Sequence, residues 1–355
     1  MTQSDADPRF FAALVHEGLL AKSSAAKALA TGDPLAYLLE EGLVTEAQWE
    51  EWVKTEAGAR PVLSRYEILD SLGEGGTARV WSAHDRVEHR DVALKVLKPA
   101  LAADRDALNG FVRESKLLMQ LDSPHIVKGL RVAREGQIYF CAMERIDGAC
   151  LQDQIGAGSR LDEEDALAAV MQVGKALCYL HAQGLVHRDV KPGNIMWTDD
   201  GRAVLIDLGF AVQRSGGASG EETDTTAGTV HYISPEQARG QDALDVRADI
   251  YSLGATLYHL VTGALPFEGA SHEEVMAKQV LEALSGEAIR SLGLSPHTHY
   301  FIEKMMAKEK EIRFQDPAEL VAEIEQHLER RQREQQAEQD ALARRKSSRR
   351  LRRFL

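Results

Sequence analysis

Asp189, Lys191, Asn194 and Asp207 bring two carboxylates, one ammonium and one amide into a short stretch of a 355-residue chain. They stand on two loops between apolar runs. One loop reads His187-Arg188-Asp189-Val190-Lys191-Pro192-Gly193-Asn194. The other, Ile206-Asp207-Leu208-Gly209, follows a strand-like run over 202–206. Phosphoryl transfer needs such a set: a carboxylate to receive a hydroxyl proton, and oxygen ligands for magnesium.

A short motif can occur by chance, so its companions decide. Leu72-Gly73-Glu74-Gly75-Gly76-Thr77-Ala78-Arg79-Val80 comes first. Backbone N–H groups of such a loop can close over phosphate oxygens because glycine carries no obstructing side chain. Val92-Ala93-Leu94-Lys95 then sets an ammonium in an apolar strand, where lysine is seldom buried without a partner. Glu114 lies inside the amphipathic run Leu108 to Leu121. Further on come Gly228-Thr229, Tyr232-Ile233-Ser234-Pro235-Glu236, and Asp249 at the start of a strongly apolar run ending at Thr262, with Gly263 its stop.

In this order the motifs resemble the catalytic core of the eukaryotic-type protein kinases, from about Tyr66 to about Leu328. The run Gly228 to Gly240 is especially similar to the bacterial serine/threonine kinases. The resemblance implies an α+β, bilobal fold, with a five-stranded sheet plus one helix in the N-terminal lobe and a mainly helical C-terminal lobe. It implies ATP and magnesium, or manganese in its place, as cofactors, and proteins as substrates. Asp189 would orient or deprotonate the acceptor hydroxyl, Lys191 would steady the γ-phosphate, and Asn194 with Asp207 would hold the metal. Lys95 would meet the α- and β-phosphates and pair with Glu114. The loop Leu72, Gly73, Glu74, Gly75, Gly76, Thr77 and Ala78 would cover the nucleotide. Val80, Ala93 and Met196 would sandwich the base, Met143 would narrow the back of its pocket, and backbone groups of Glu144 and Ile146 would meet its edge. Residues 144–148 are the implied hinge.

Thr223, Thr225 and Thr226 are the implied autophosphorylation sites, with Arg188 receiving the phosphate. Transfer between two copies of the chain implies a homodimer. His187 is expected to pack beneath the loop, Asp249 to bond the backbone near His187 and Arg188, and Glu236 to pair with Arg313. Three positions depart from the family pattern: Ala78 replaces a third glycine, Leu208 a phenylalanine, and Lys308-Glu309-Lys310-Glu311 lacks a proline. A scaffold that binds nucleotide without turnover is the alternative reading; its signature, loss of Lys95, Asp189, Asn194 or Asp207, is absent. A small-molecule phosphotransferase fits less well, given the segment from Gly228 to Glu236.

The elements flanking this core read more plainly. Residues 1–60 form a helical module in which the pattern Phe11 to Leu20 recurs 24 positions later as Leu35 to Val44, each copy ending on glycine and an apolar pair. Thr45 and Gln48 resemble a capping box. Two helical hairpins of this length bury little surface alone, so the module reads as a packed appendage without chemistry, with a protein-interaction module as the alternative. Residues 61–65 read as a linker, 66–328 as the catalytic domain, and 329–355 as a charged helical tail. That tail carries Arg344, Arg345, Lys346, Arg349, Arg350, Arg352 and Arg353 beyond residue 341 with no acid, although the chain as a whole stands at −13. An acidic body argues against nucleic-acid binding, while the tail reads as a solvated, fraying helix, with adhesion to anionic lipid or to an acidic partner as the functional alternative. The three cysteines show no paired spacing, and no apolar run reaches the ~18 residues of a membrane span. A cytoplasmic chain is the expectation.

Overall fold

A computed structural model describes residues 11, 14–15, 18–31, 33–49, 60–155, 159–208, 212–213, 229–241, 243–284 and 293–351. The chain divides into two compact units, Met1–Val112 with Leu130–Arg145, and Arg113–Gly129 with Ile146–Leu355.

In the first unit, helices α1 (Lys22–Leu29) and α2 (Pro34–Glu40) belong to the N-terminal repeats. Asp33 caps α2 by accepting from Ala36 N, and Gly42 ends that copy at φ +65°. Gly18, the equivalent residue of the first copy, has φ +71°. The capping box is formed: Thr45 N donates to Gln48 Oε1 and Gln48 N to Thr45 Oγ1. Phe11, Leu14, Leu20, Ala28, Leu38, Val44 and Trp49 bury one small core.

The rest of this unit is a five-stranded sheet in the order β1-β2-β3-β5-β4. Its strands are β1 (Tyr66–Glu74), β2 (Ala78–Asp85), β3 (Arg90–Leu97), β4 (Gly129–Glu135) and β5 (Ile138–Glu144); helix α3 (Arg105–Gln120), between β3 and β4, is divided between the two units after Val112. Alternation decides its faces. Trp81, Leu94 and Ala142 lie opposite one another across β2, β3 and β5 and share a core with Ile68, Val92, Val96 and Phe140. Residues 61–65 are more than a connector. Leu63 is buried in that core, and Ser64 donates from its N–H and hydroxyl to Glu135.

The second unit is mainly helical. Its strands are short: β6 (Gly148–Cys150), β8 (Ile195–Thr198) and β9 (Ala203–Leu205) form one sheet, while β7 (Leu185–Val186) pairs with β10 (Val212–Gln213). The helices are α4 (Leu151–Gln154), α5 (Glu163–Ala182), α6 (Pro235–Ala238), α7 (Val246–Thr262), α8 (His272–Leu281), α9 (Pro296–Met305) and α10 (Pro317–Leu351). Helix α7 is the centre of the packing. Asp245 caps it, Gly263 ends it at φ +69°, and both its apolar and its small residues are buried against α5 and α9. Each fully buried Leu or Ile there contributes about 1.5–3 kcal/mol.

The chain leaves the first unit between Arg145 and Ile146, inside the segment expected as a hinge. Gly148 is the exception to that expectation: it starts β6, where a Cβ would collide with the Trp197 carbonyl. Helix α10 continues through the charged run, and residues 329–340 are exposed throughout. Among the described residues no helix is long and apolar enough to cross a membrane.

Candidate active site

The loop 187–194 connects β7 to β8. It contains a strained point, because Arg188 sits at φ +70°, a region that costs a side-chain-bearing residue about 1–2 kcal/mol. Asp249, in the first turn of α7, holds it there. Its Oδ2 accepts from His187 N at 2.8 Å and its Oδ1 from Arg188 N at 2.7 Å. Asp249 is almost fully buried, and burial pushes its carboxyl up; the two amide donors oppose that shift. Gln237 Nε2, on α6, adds a third clamp by donating to Arg188 O at 2.9 Å.

These clamps fix Asp189, which is 7% exposed. Its backbone N–H donates to His187 Nδ1 at 3.2 Å, and the His187 ring packs buried beneath the loop. Two cation or amide donors meet Asp189 Oδ2: Lys191 Nζ at 2.9 Å and Asn194 Nδ2 at 2.9 Å. Asn194 Nδ2 also reaches Asp189 O at 2.8 Å. The other carboxylate oxygen, Oδ1, is buried with no hydrogen-bond partner among the described residues. A buried acceptor left open costs free energy, so it marks a place where a donor belongs.

Asn194 ends a single 3₁₀ turn, Pro192–Asn194, and β8 begins at the next residue. Ile206 N donates to Asn194 O at 3.0 Å, which sets Asp207 one residue beyond that bond. The β8–β9 hairpin therefore delivers Asn194 and Asp207 as neighbours. Both offer oxygen, the donor type a hard divalent cation takes, with the remaining positions falling to phosphate oxygens and water. The donor set fits a hard divalent cation. Leu208 is buried at 1% exposure, as suits an apolar residue in that place.

The Glu236–Arg313 pair is formed despite the altered segment before it. Arg313 Nη1 and Nη2 donate to the two Glu236 oxygens at 2.7 and 2.9 Å. The remaining guanidinium hydrogens go to the carbonyls of Ala307, Arg247 and Lys308, which accounts for all five donors.

In the sheet unit, the register gathers Val80, Lys95 and Cys141 in one row and Ala93 with Met143 in another. These five residues lie on the face opposite the Trp81 core and so share one surface of the sheet. Lys95, Val80 and Glu144 are half-buried, as are Ile146, Met196 and Glu114 in the second unit. The glycine-rich turn closes through Gly75 N to Ala78 O at 2.8 Å, with Ala78 buried and Leu72 half-exposed. Lys98 and Arg79 hold the Glu74 carboxyl below its usual range and tie that side chain back to the sheet. Gly73 lies within β1, and Gly76 and Thr77 complete the turn to β2.

Thr223, Thr225 and Thr226 lie outside the described residues. Arg188, expected to receive their phosphate, has its Nε buried without a partner among the described residues, and burial pushes its guanidinium pKa down. Gln237 is the residue whose role the sequence hid, since a glutamine after Pro-Glu reads as a helix cap. It does cap α6, accepting from Ser234 N, and only the fold shows its amide on the catalytic loop.

Residues 66–328 match the protein kinase domain family. The chain is similar to the serine/threonine-protein kinase PknB of Mycobacterium leprae, 38% identical over 264 residues that make up 73% of this chain and 42% of that protein. Serine/threonine-protein kinase PrkC of Bacillus subtilis is 35% identical over 264 residues, 74% of this chain and 40% of that protein. The chain thus spans about two fifths of the length of these curated relatives.

Proposed function

The chain belongs to the protein kinase family, and from that premise we propose that it is a protein serine/threonine kinase that transfers the γ-phosphoryl group of ATP to protein hydroxyls. The observation that carries this reading is the half-satisfied Asp189 carboxylate. Lys191 and Asn194 fix Oδ2, while the buried Oδ1 lacks the donor that a serine or threonine hydroxyl would supply. In the proposed step the acceptor oxygen bonds to the γ-phosphorus and the bond to the β–γ bridging oxygen breaks. ADP leaves, and the hydroxyl proton passes to Asp189 Oδ1.

Lys191 balances charge on the moving phosphoryl group. Lys95, with Glu114 its expected partner, would take the α- and β-phosphates beneath the glycine-rich segment Leu72–Ala78. Val80, Ala93, Met143 and Met196 offer apolar surface to the base, and backbone groups of Glu144 and Ile146 its polar edge. Magnesium, held by Asn194 and Asp207, would neutralise phosphate charge. The rate gain then comes mostly from positioning and preorganised charge.

Activation by autophosphorylation of Thr223, Thr225 or Thr226 between two copies belongs to the same reading; the open Arg188 Nε supports it. Residues 1–60 would bind a protein partner, and the basic end of α10 an anionic membrane surface. The three cysteines are free, which suits the cytoplasm.

The test is transfer of label from γ-labelled ATP with magnesium to a generic protein acceptor, followed by phosphoamino-acid analysis. Phosphoserine and phosphothreonine are expected. Phosphotyrosine alone, or no transfer with nucleotide bound, would refute the assignment.

A further inference from the structure

The segment that follows the activation-loop threonines is held from below by a buried relay that the catalytic residues do not explain. Gln279, on α8, is fully buried. Its Nε2 donates to Val230 O at 3.3 Å and to His231 O at 2.8 Å. Its Oε1 accepts from the Tyr251 hydroxyl at 2.6 Å. Lys308 Nζ then donates to Tyr251 Oη at 2.9 Å and to Gln279 O at 2.8 Å. The Lys308 ammonium lies 4.3 Å from the Phe267 ring centre and 5.3 Å from that of Tyr251, two favourable cation–π contacts.

The relay is directional. A lysine has only donors, so Lys308 makes the Tyr251 oxygen an acceptor and leaves its single hydrogen for Gln279 Oε1. That in turn fixes the Gln279 amide with both hydrogens towards the 230–231 carbonyls. Two neighbouring bonds grip the same segment: Tyr232 Oη with His259 Nδ1 at 2.6 Å, and His231 Nδ1 with Phe267 O at 3.1 Å. At its far end the segment reaches the catalytic loop, through Gln237 to Arg188 O. Backbone 230–237 is therefore a strip stretched between α8 and the residue next to Asp189. A buried chain of this kind costs more than simple packing of similar volume would, since each polar group must find its partner. Its return must lie in where it puts the strip.

We propose that Gln279, oriented by Tyr251 and Lys308, is a positioning residue for the protein acceptor: it sets the height of the 230–231 backbone, the start of the strip that Gln237 ties to Arg188, and the acceptor chain rests on that strip. The proposal deepens the kinase reading and rests on it. Gln279 touches neither nucleotide nor phosphate. Its loss acts on acceptor binding and on the alignment of the hydroxyl, because small misplacements near the reacting atoms cost rate steeply.

The experiment uses the full chain and three variants, Gln279→Glu, Gln279→Leu and Tyr251→Phe. Kinetics are measured separately for ATP and for myelin basic protein as a generic acceptor, with hydrogen exchange of segment 229–234 and thermal unfolding alongside. Gln279→Glu keeps the shape and the acceptor for Tyr251 but loses both donors. Expected is a roughly tenfold rise in KM for the protein acceptor, an unchanged KM for ATP, and faster exchange in the segment. Tyr251→Phe, which keeps the ring, should show the same split more weakly. Gln279→Leu guards against an effect of the added charge. Faster exchange with an unaltered acceptor KM in the variants that fold would overturn the proposal, as would equal rises in both KM values. A parent chain that transfers no phosphate would instead refute the kinase reading, and the exchange data would still report whether the relay anchors the strip.

Discussion

Lys308 shows how much a single buried charge can say. Burial, with Arg313 and Arg239 nearby and Glu282 in opposition, pushes its pKa down to about 8. The folded protein therefore releases this proton earlier than the unfolded chain, where lysine titrates near ~10.4. Between those values the unfolded state holds more protons, so the contribution of Lys308 to stability rises with pH. Below about pH 8 its penalty is present in full. A Lys308→Met variant should flatten this rise: urea midpoints of parent and variant, compared at pH 7.5 and 10, are expected to differ less at the higher value. Asp189 could be picked out directly from residue types and spacing, as could the departures at Ala78 and Leu208. Lys308 and Gln279 could not. Each is a common polar residue in a helical or turn pattern, and only packing against Tyr251 takes it out of water.

At the scale of elements, two buried acids fix the surroundings of the candidate site. Asp249 at the start of α7 clamps the catalytic loop, and Glu236 on α6 is locked to Arg313. Both acids were legible, since they occupy fixed places in the ordered motifs. Less legible was the path of the chain between elements. Residues 61–65 have the composition of a linker, yet Leu63 enters the sheet core; Gly148 looked like hinge and became strand. Local pattern gives the periodicity of a segment but not which surface it meets. Removing one member of the buried ion pair strands the other charge. Glu236→Gln should therefore cost about 3–5 kcal/mol in denaturant unfolding, while a matched apolar replacement of both residues should cost much less. A Glu236→Gln chain as stable as the parent would mean that the pair is not buried in solution.

For the whole molecule, the apolar core of residues 11–49 shares no member with that of the sheet, 63–142. The repeats were readable because glycine recurs at the same place in both copies, and the structure gives both glycines positive φ. A chain starting at residue 50 should keep the parent's main melting transition, read by calorimetry, and lose only the signal of the small module. Loss of the main transition would show that the module is part of the catalytic fold. Most of the candidate site lies in the second unit, where the catalytic loop, the β8–β9 hairpin and α7 converge. The central claim is that Asp189 takes the acceptor proton there. Its most direct test is single-turnover transfer from labelled ATP with magnesium, parent beside Asp189→Asn, with nucleotide binding measured in parallel. The account predicts a loss of about 10²–10⁴-fold in transfer with nucleotide still bound. Equal labelling by parent and variant would contradict it.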